Sequence, residues 1–237
     1  MTLNRTKRSD DQALETIWTK SKRAVTKVTR MLHLKSFGER VPMQSKCEAI
    51  CAELDSIKLR GVFRATKLLV EQHTIGTKWV FKIKRKADGA IEKYKARLVA
   101  KGFKQQYGID YTETFSPVVK YVTLRMVVAI TKYFDWTLDQ LDVVTAFLYG
   151  EMKEKVFCAI PEGVEVDEDF DCFELVKAIY GLKQASRVWN ETFYEFVCSS
   201  GFQVSDFDPC LYLKITSGEC VLLLVYVLTV IGFHQYW

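Results

Sequence analysis

What this sequence lacks narrows what it can be. No apolar run is long enough to cross a bilayer. The longest, Val221–Phe233, spans 13 residues and contains Thr229 and Gly232, which suits a buried strand. The first 30 residues hold no apolar core of a secretory signal. They are rich in Arg, Thr and Ser, as transit peptides are, but Asp10, Asp11 and Glu15 argue against that reading. Histidine is scarce, at three residues (His33, His73, His234). The seven cysteines form no Cys-X-X-Cys pair, so no zinc cluster is expected. An odd number of free thiols suits a reducing compartment. The expectation is an intracellular chain, cytoplasmic or nuclear, with no membrane segment. Internal repeats are also missing.

Charge is present but unevenly placed. The net charge is +5. Residues 1–40 carry 10 Lys and Arg against 4 Asp and Glu, and residues 78–104 carry 10 against 2. Residues 105–237 reverse the balance, with 9 against 19. Such separation suggests a lobe that binds polyanions beside an acidic lobe able to bind metal. For any single charge run, a solvated basic hairpin is the favoured reading.

Local patterns outline the elements. Residues 1–40 read as a basic, flexible tail. Cys47, Ile50, Cys51, Leu54 and Ile57 follow helical spacing over 43–60, with Gly61 as a stop; the two cysteines read as small buried hydrophobes. From Trp79, Phe81 and Ile83 alternate with Lys82 and Lys84, Asp88-Gly89 marks a hairpin turn, and Ile91–Ala100 returns. This is a two-stranded ribbon studded with cations. Ser116-Pro117 reads as the cap and first position of a helix carrying Leu124, Val127, Val128, Ile130 and Phe134. Trp136–Val144 and Glu151–Pro161 read as strands, and residues 164–171 as an acidic loop. Residues 185–200 form an amphipathic helix with Ala185, Val188, Trp189, Thr192, Phe193, Phe196 and Val197 on one stripe, ended by Gly201. Residues 210–215 and 220–227 read as strands joined at Ser217-Gly218. The mixture predicts an α+β fold with an antiparallel sheet.

Several ordered segments carry a family likeness over roughly residues 45–231. They are Lys78–Lys82, Lys95–Phe103, Gly108-Ile109-Asp110-Tyr111, Thr114–Val118, Gln140–Leu148, Ala178–Arg187 and Asp208–Tyr212. In order and spacing they resemble the reverse transcriptase (RNA-directed DNA polymerase) of copia-type retrotransposons. The resemblance implies fingers and palm subdomains, with an antiparallel palm sheet packed on helices. By that likeness, residues 41–119 and 151–178 form fingers, and 120–150 and 179–237 form palm, with the family's thumb absent. It implies an RNA or DNA primer–template and deoxynucleoside triphosphates as partners, and Mg2+ as cofactor.

The implied reaction is attack of a primer 3′-hydroxyl on an α-phosphorus, with two Mg2+ about 3.5–4 Å apart stabilising the attacking and leaving oxygens. Mg2+ takes hard oxygen ligands. The family supplies three carboxylates, and Asp142 matches the first, as a catalytic metal ligand; without its motif it reads as a strand-end aspartate. The resemblance places Val143 and Val144 at the triphosphate by their backbone N–H groups, and Phe147 beneath the sugar, where an ordinary core aromatic would look the same. Lys84, Arg85, Lys95 and Arg97 match the fingers cations that meet the triphosphate, with Arg85 and Arg97 favoured. Gly181, Lys183 and Gln184 match the turn near the templating base pair. The family's Tyr-X-Asp-Asp box reads here Tyr226-Val227-Leu228-Thr229. Leu228 and Thr229 therefore stand at degenerate catalytic positions, and the expectation is a catalytically defective domain, the alternatives being a non-catalytic nucleic-acid-binding remnant or a poorly folded, decayed gene product.

Overall fold

The computed structural model describes residues 42–162, 164 and 170–236. The basic tail and most of the acidic loop expected from the sequence lie outside these residues. The chain divides into two compact units, Met1–Thr112 with Glu151–Ala185, and Glu113–Gly150 with Ser186–Trp237. Among the described residues no helix is long and apolar enough to cross a membrane. All seven cysteines are free thiols. Burial pushes the Cys172 thiol up to about 12 and that of Cys210 up to about 11, so both behave as small hydrophobes.

The first unit opens with helix α1, Met43–Leu59, whose Ile50, Leu54 and Ile57 are buried. Gly61, at φ 59°, turns the chain out of it. Four short strands follow in one sheet: β1 (Phe63–Thr66), β2 (Thr74–Ile75), β6 (Phe157–Ala159) and β7 (Cys172–Leu175), in the order β1-β7-β6-β2. Only the β2–β6 pair is parallel. Phe63 of β1 and Phe173 of β7 stack with centroids 5.1 Å apart. The strand expected over 151–161 is shorter than its pattern suggests. Glu151 bridges Lys177, the charged Lys153-Glu154-Lys155 joins no ladder, and regular pairing begins at Phe157.

The basic ribbon is β3 (Thr77–Arg85) with β4 (Ile91–Ala100). Gly89 takes φ 85° in the turn, and the Asp88 carboxylate accepts the Ala90 N–H at 2.9 Å. The register sets Lys82 opposite Lys95, Lys84 opposite Lys93, and Val80 opposite Arg97. Since side chains alternate across a strand, Lys78, Lys82, Lys84, Lys93, Lys95 and Arg97 share one face. Trp79, Phe81, Ala96 and Leu98 share the other, which α1 helps to bury.

The second unit is a five-stranded antiparallel sheet covered by a helix on each face. Its strands run in the order β5 (Thr137–Asp142), β11 (Thr229–Tyr236), β10 (Glu219–Tyr226), β9 (Leu211–Thr216), β8 (Gln203–Val204). Helix α2, Tyr121–Tyr133, places Val127 against Leu211, Leu222, Leu224 and Phe233. Helix α3, Ala185–Ser199, places Trp189, Phe193 and Val197 against Tyr212, Val225 and Val230. Two covered faces explain why 221–233 is apolar almost throughout, without strict alternation.

Two local expectations fail here. Helix α2 begins at Tyr121, not at Ser116-Pro117. Ser116 instead donates its hydroxyl to the Ser186 carbonyl at 3.2 Å, while the buried Asp208 carboxylate accepts the Lys120 N–H at 2.9 Å. The helix start is thus tied down by a residue far away in sequence. Phe196 is 67% exposed and does not complete the stripe of α3. It borders an apolar cavity of about 270 Å³ lined also by Val143, Tyr149, Trp189, Thr192 and Phe193.

Glu53 is a buried carboxylate of the first unit, as is Asp110, and it accepts the Leu98 N–H at 3.3 Å. Burial raises its pKa above the usual 4.5, although that bond and the nearby Lys95, Arg97 and Arg60 pull it down. A raised carboxyl favours the folded state below its unfolded pKa and loses that contribution as pH rises through the folded value. Glu53→Gln keeps the acceptor and removes the charge. Thermal unfolding should show it melting about 2–4 °C above wild type at pH 8, with the gain shrinking towards pH 4.

Candidate functional site

In the second unit, β10 and β11 join through the two-residue turn Val227-Leu228, closed by the Tyr226–Thr229 pair. Val227 lies at φ 54°, which a β-branched residue adopts only under strain. Both turn carbonyls are held: Trp189 Nε1 donates to Val227 at 2.9 Å, and the Val143 N–H donates to Leu228 at 3.0 Å. The β5–β11 ladder sets Asp142 directly opposite Thr229, with Asp142 exposed at the strand's end. A second strained residue follows it, Thr145 at φ 56°, whose hydroxyl donates to the Val144 carbonyl at 2.6 Å. Phe147 sits in the short 3₁₀ turn Ala146–Tyr149 and packs, partly buried, on the cluster around Trp189 and Phe193. Leu228 packs partly buried on that same cluster.

In the first unit the candidate cations separate by face. Lys84, Lys95 and Arg97 lie together, whereas the register shifts between Lys84 and Arg85. Arg85 donates to the Gly89 carbonyl at 3.1 Å, back across the hairpin turn. The Arg97 guanidinium lies 5.0 Å from the Tyr180 ring centroid, and its buried Nε has no hydrogen-bond partner among the described residues. Partial burial, then Arg97 and Lys84, lower the Lys95 pKa from the usual 10.5.

Gly181, at φ 90°, lets two backbones cross. A Cβ there would lie 2.3 Å from the Ala100 carbonyl oxygen, and one on Gly102 would lie 2.0 Å from that of Gly181. Gln184 is fully buried and its side chain serves the fold. It donates to the Asp110 carbonyl at 2.8 Å and accepts from Gln105 Nε2 at 3.0 Å. Gln105 in turn accepts the Lys183 N–H at 2.8 Å. The buried Asp110 carboxylate accepts the Gln106 N–H at 2.7 Å and lies 3.0 Å from His73 Nε2. Lys183 points outward, its Nζ 2.9 Å from the Tyr111 hydroxyl. His73, Gln105 and the supporting role of Asp110 escape sequence reading. The Gly-Ile-Asp-Tyr segment points to Asp110, but nothing local says that its carboxylate is buried.

Comparison with known proteins meets this geometry. The family model for reverse transcriptase (RNA-dependent DNA polymerase) matches residues 60–232, well over half the chain. The chain belongs to the reverse transcriptase family. It is 39% identical over 183 residues to the retrovirus-related Pol polyprotein from transposon TNT 1-94 of Nicotiana tabacum, covering 76% of this chain and 14% of that protein. Against the polyproteins from transposons RE2 and RE1 of Arabidopsis thaliana the identities are 42% and 40%, each over 65% of this chain and 11% and 10% of theirs. The chain thus spans between 10% and 14% of the length of these relatives. It is a copia-type retrotransposon reverse transcriptase domain.

Such a domain implies a divalent metal, and the donors present do not fit a two-ion centre. Asp142 offers one carboxylate, Thr229 a neutral hydroxyl, and Leu228 nothing. Among the described residues no three of His, Cys, Asp and Glu gather into a group able to hold a metal ion. Asp139, on the same strand as Asp142, is engaged by His234 at 2.9 Å. A left-handed valine costs roughly 1–2 kcal/mol, more than the backbone entropy of a glycine in its place. Val227→Gly should therefore stabilise this domain by about 0.5–1 kcal/mol, read as a higher melting temperature.

Proposed function

We propose that this reverse transcriptase domain binds nucleic acid and deoxynucleoside triphosphates but adds nucleotides at a negligible rate. One observation carries this reading: the strand pairing sets Asp142 opposite Thr229, with Leu228 as the other residue where a carboxylate is required. The first unit corresponds to fingers and the second to palm, save that residues 113–119 fall in the second unit and 179–185 in the first. On this reading residues 41–119 and 151–178 supply fingers segments, and 120–150 and 179–237 supply palm segments. Asp142 is the surviving metal ligand of a Mg2+ centre that lacks its other two carboxylates. Val143, Val144 and Phe147 line the triphosphate side of the palm turn.

The cation face of the ribbon supports the binding half of the proposal. Lys84, Lys95 and Arg97 are gathered with Lys78, Lys82 and Lys93 on one side, as phosphate contacts require. Arg97 is the best placed, because it shares the cation face and its guanidinium is held over the Tyr180 ring. Arg85 is bonded within its own turn and is the weaker of the two arginines. Lys183 is exposed and suited to a template phosphate, whereas Gln184 and Gly181 act by shaping the turn that presents it. The free thiols suit a reducing intracellular compartment.

Loss of two carboxylates costs roughly 4–6 kcal/mol of transition-state stabilisation, or about 10³–10⁴-fold in rate. Purified protein with a primed template and Mg2+ or Mn2+ should give no more extension than Asp142→Ala. The double variant Leu228→Asp/Thr229→Asp should rise above both. Template-dependent product from wild type in excess of the Asp142→Ala control would overturn the reading.

A further inference from the structure

The apolar cavity of the second unit, about 270 Å³, is bounded by Val143, Tyr149, Trp189, Thr192, Phe193 and Phe196, none of them charged. Trp189 and Phe193, 6% and 8% exposed, form its floor, with ring centroids 5.6 Å apart. Phe196 and Tyr149, 67% and 44% exposed, stand at its rim. The polar atoms nearest the floor are already engaged. Thr192 donates its hydroxyl to the Val188 carbonyl at 3.0 Å, and Trp189 Nε1 donates to the Val227 carbonyl at 2.9 Å. The Val143 N–H donates to the Leu228 carbonyl at 3.0 Å. Two of the six lining residues are therefore the donors that hold the turn between β10 and β11.

We propose that this cavity is a binding site for an uncharged, planar aromatic molecule of two fused rings, and that its occupant steadies the turn at Val227-Leu228. Size sets the first part of that assignment. An apolar cavity of ~150 Å³ admits one benzene ring, so about 270 Å³ admits a bicyclic one. The walls set the second part. Four of the six lining side chains are aromatic, and aromatic rings pack on one another edge to face or offset with a gain beyond area alone. A water molecule needs polar partners that the floor does not offer. A charged ligand would leave water without a lining side chain of opposite charge. Left unfilled, the cavity forfeits the dispersion contacts that a packed interior makes. Coupling to the turn follows from shared residues. Releasing the Val227 and Leu228 carbonyls requires Trp189 and Val143 to move, and a ring packed against both opposes that movement. The turn has strain to release, since Val227 is held at φ 54°. Nucleic-acid binding is not required of such a site.

The test is calorimetric titration of the full chain at pH 8 with quinoline, which is bicyclic and uncharged there, beside pyridine and N-methylquinolinium. Quinoline should bind saturably, with a dissociation constant on the order of 0.1 mM. Pyridine, four carbons smaller, should bind about 10-fold more weakly or worse. The permanently charged N-methylquinolinium should bind at least about 10-fold more weakly. Phe196→Ala removes a rim ring that no core depends on and should weaken quinoline about 3–10-fold. Thr192→Phe places a ring in the cavity and should abolish binding. Tyr133→Ala, an exposed ring on α2, should bind like wild type. Exchange of the Trp189 indole N–H, followed by NMR, should slow about 10-fold with quinoline at ten times its dissociation constant, and should also slow in ligand-free Thr192→Phe. Absence of saturable quinoline binding overturns the site, as does Thr192→Phe that binds like wild type. Equal losses in Phe196→Ala and Tyr133→Ala would mean surface adsorption and refute it too. N-methylquinolinium binding as tightly as quinoline overturns the assignment to an uncharged ring. Indole exchange unchanged at saturation overturns the link to the turn.

Discussion

Burial of β10 on both faces at once is the constraint from which the second unit follows. Leu222 and Leu224 face α2 while Leu223 and Val225 face α3, so a slip of one residue would exchange the two sets. The register of β11 and then β5 follows from that ladder, and with it the placing of Asp142 opposite Thr229. The turn between β10 and β11 is tied by Trp189 and by Val143, through backbone carbonyls that any residue would provide. The hairpin therefore keeps its shape without depending on which side chains stand at 228 and 229. Leu228 even contributes apolar contact to the core. The geometry of this turn is therefore set by the backbone that the core holds.

The first unit is organised differently, around satisfied polar groups. Gln105, Gln184 and Asp110 are buried yet each has partners, which removes the penalty of burying them and specifies one arrangement of the loops they join. The crossing of Gly102 and Gly181 adds a steric requirement, since neither position has room for a Cβ. The cation face of the ribbon lies on the side opposite its apolar face, so charge is presented without desolvating most of it. Lys95 shows the limit of that arrangement, because crowding by Arg97 and Lys84 adds to partial burial in lowering its pKa.

Elements whose causes are local were legible in the sequence. The helix over 43–60 rests on its own periodicity, the ribbon on alternation and Asp88-Gly89, and the helix over 185–200 on its apolar stripe and Gly201. Where a distant residue intervenes, local reading fails. Ser116-Pro117 has every mark of a helix start, yet the tie comes from Asp208, 88 residues beyond Lys120. Phe196 fits the helical stripe, but whether a stripe residue is buried depends on what lies across from it, and there a cavity opens. Gln184 reads as a polar group available to a ligand, and only the fold reveals that both ends of its amide are occupied.

The order and spacing of motifs, the charge imbalance and the identities of residues 226–229 are properties of the sequence alone. They suffice for the family, and for which side chains stand at 228 and 229, because side-chain chemistry is set by residue type. The tertiary structure decided which cations share a face, that Asp142 stands across from Thr229, that Val227 is strained, and that Phe196 stays at the rim of a cavity. Those depend on register, bulges and partners remote along the chain, where pairing energy and burial, rather than local propensity, determine which groups meet.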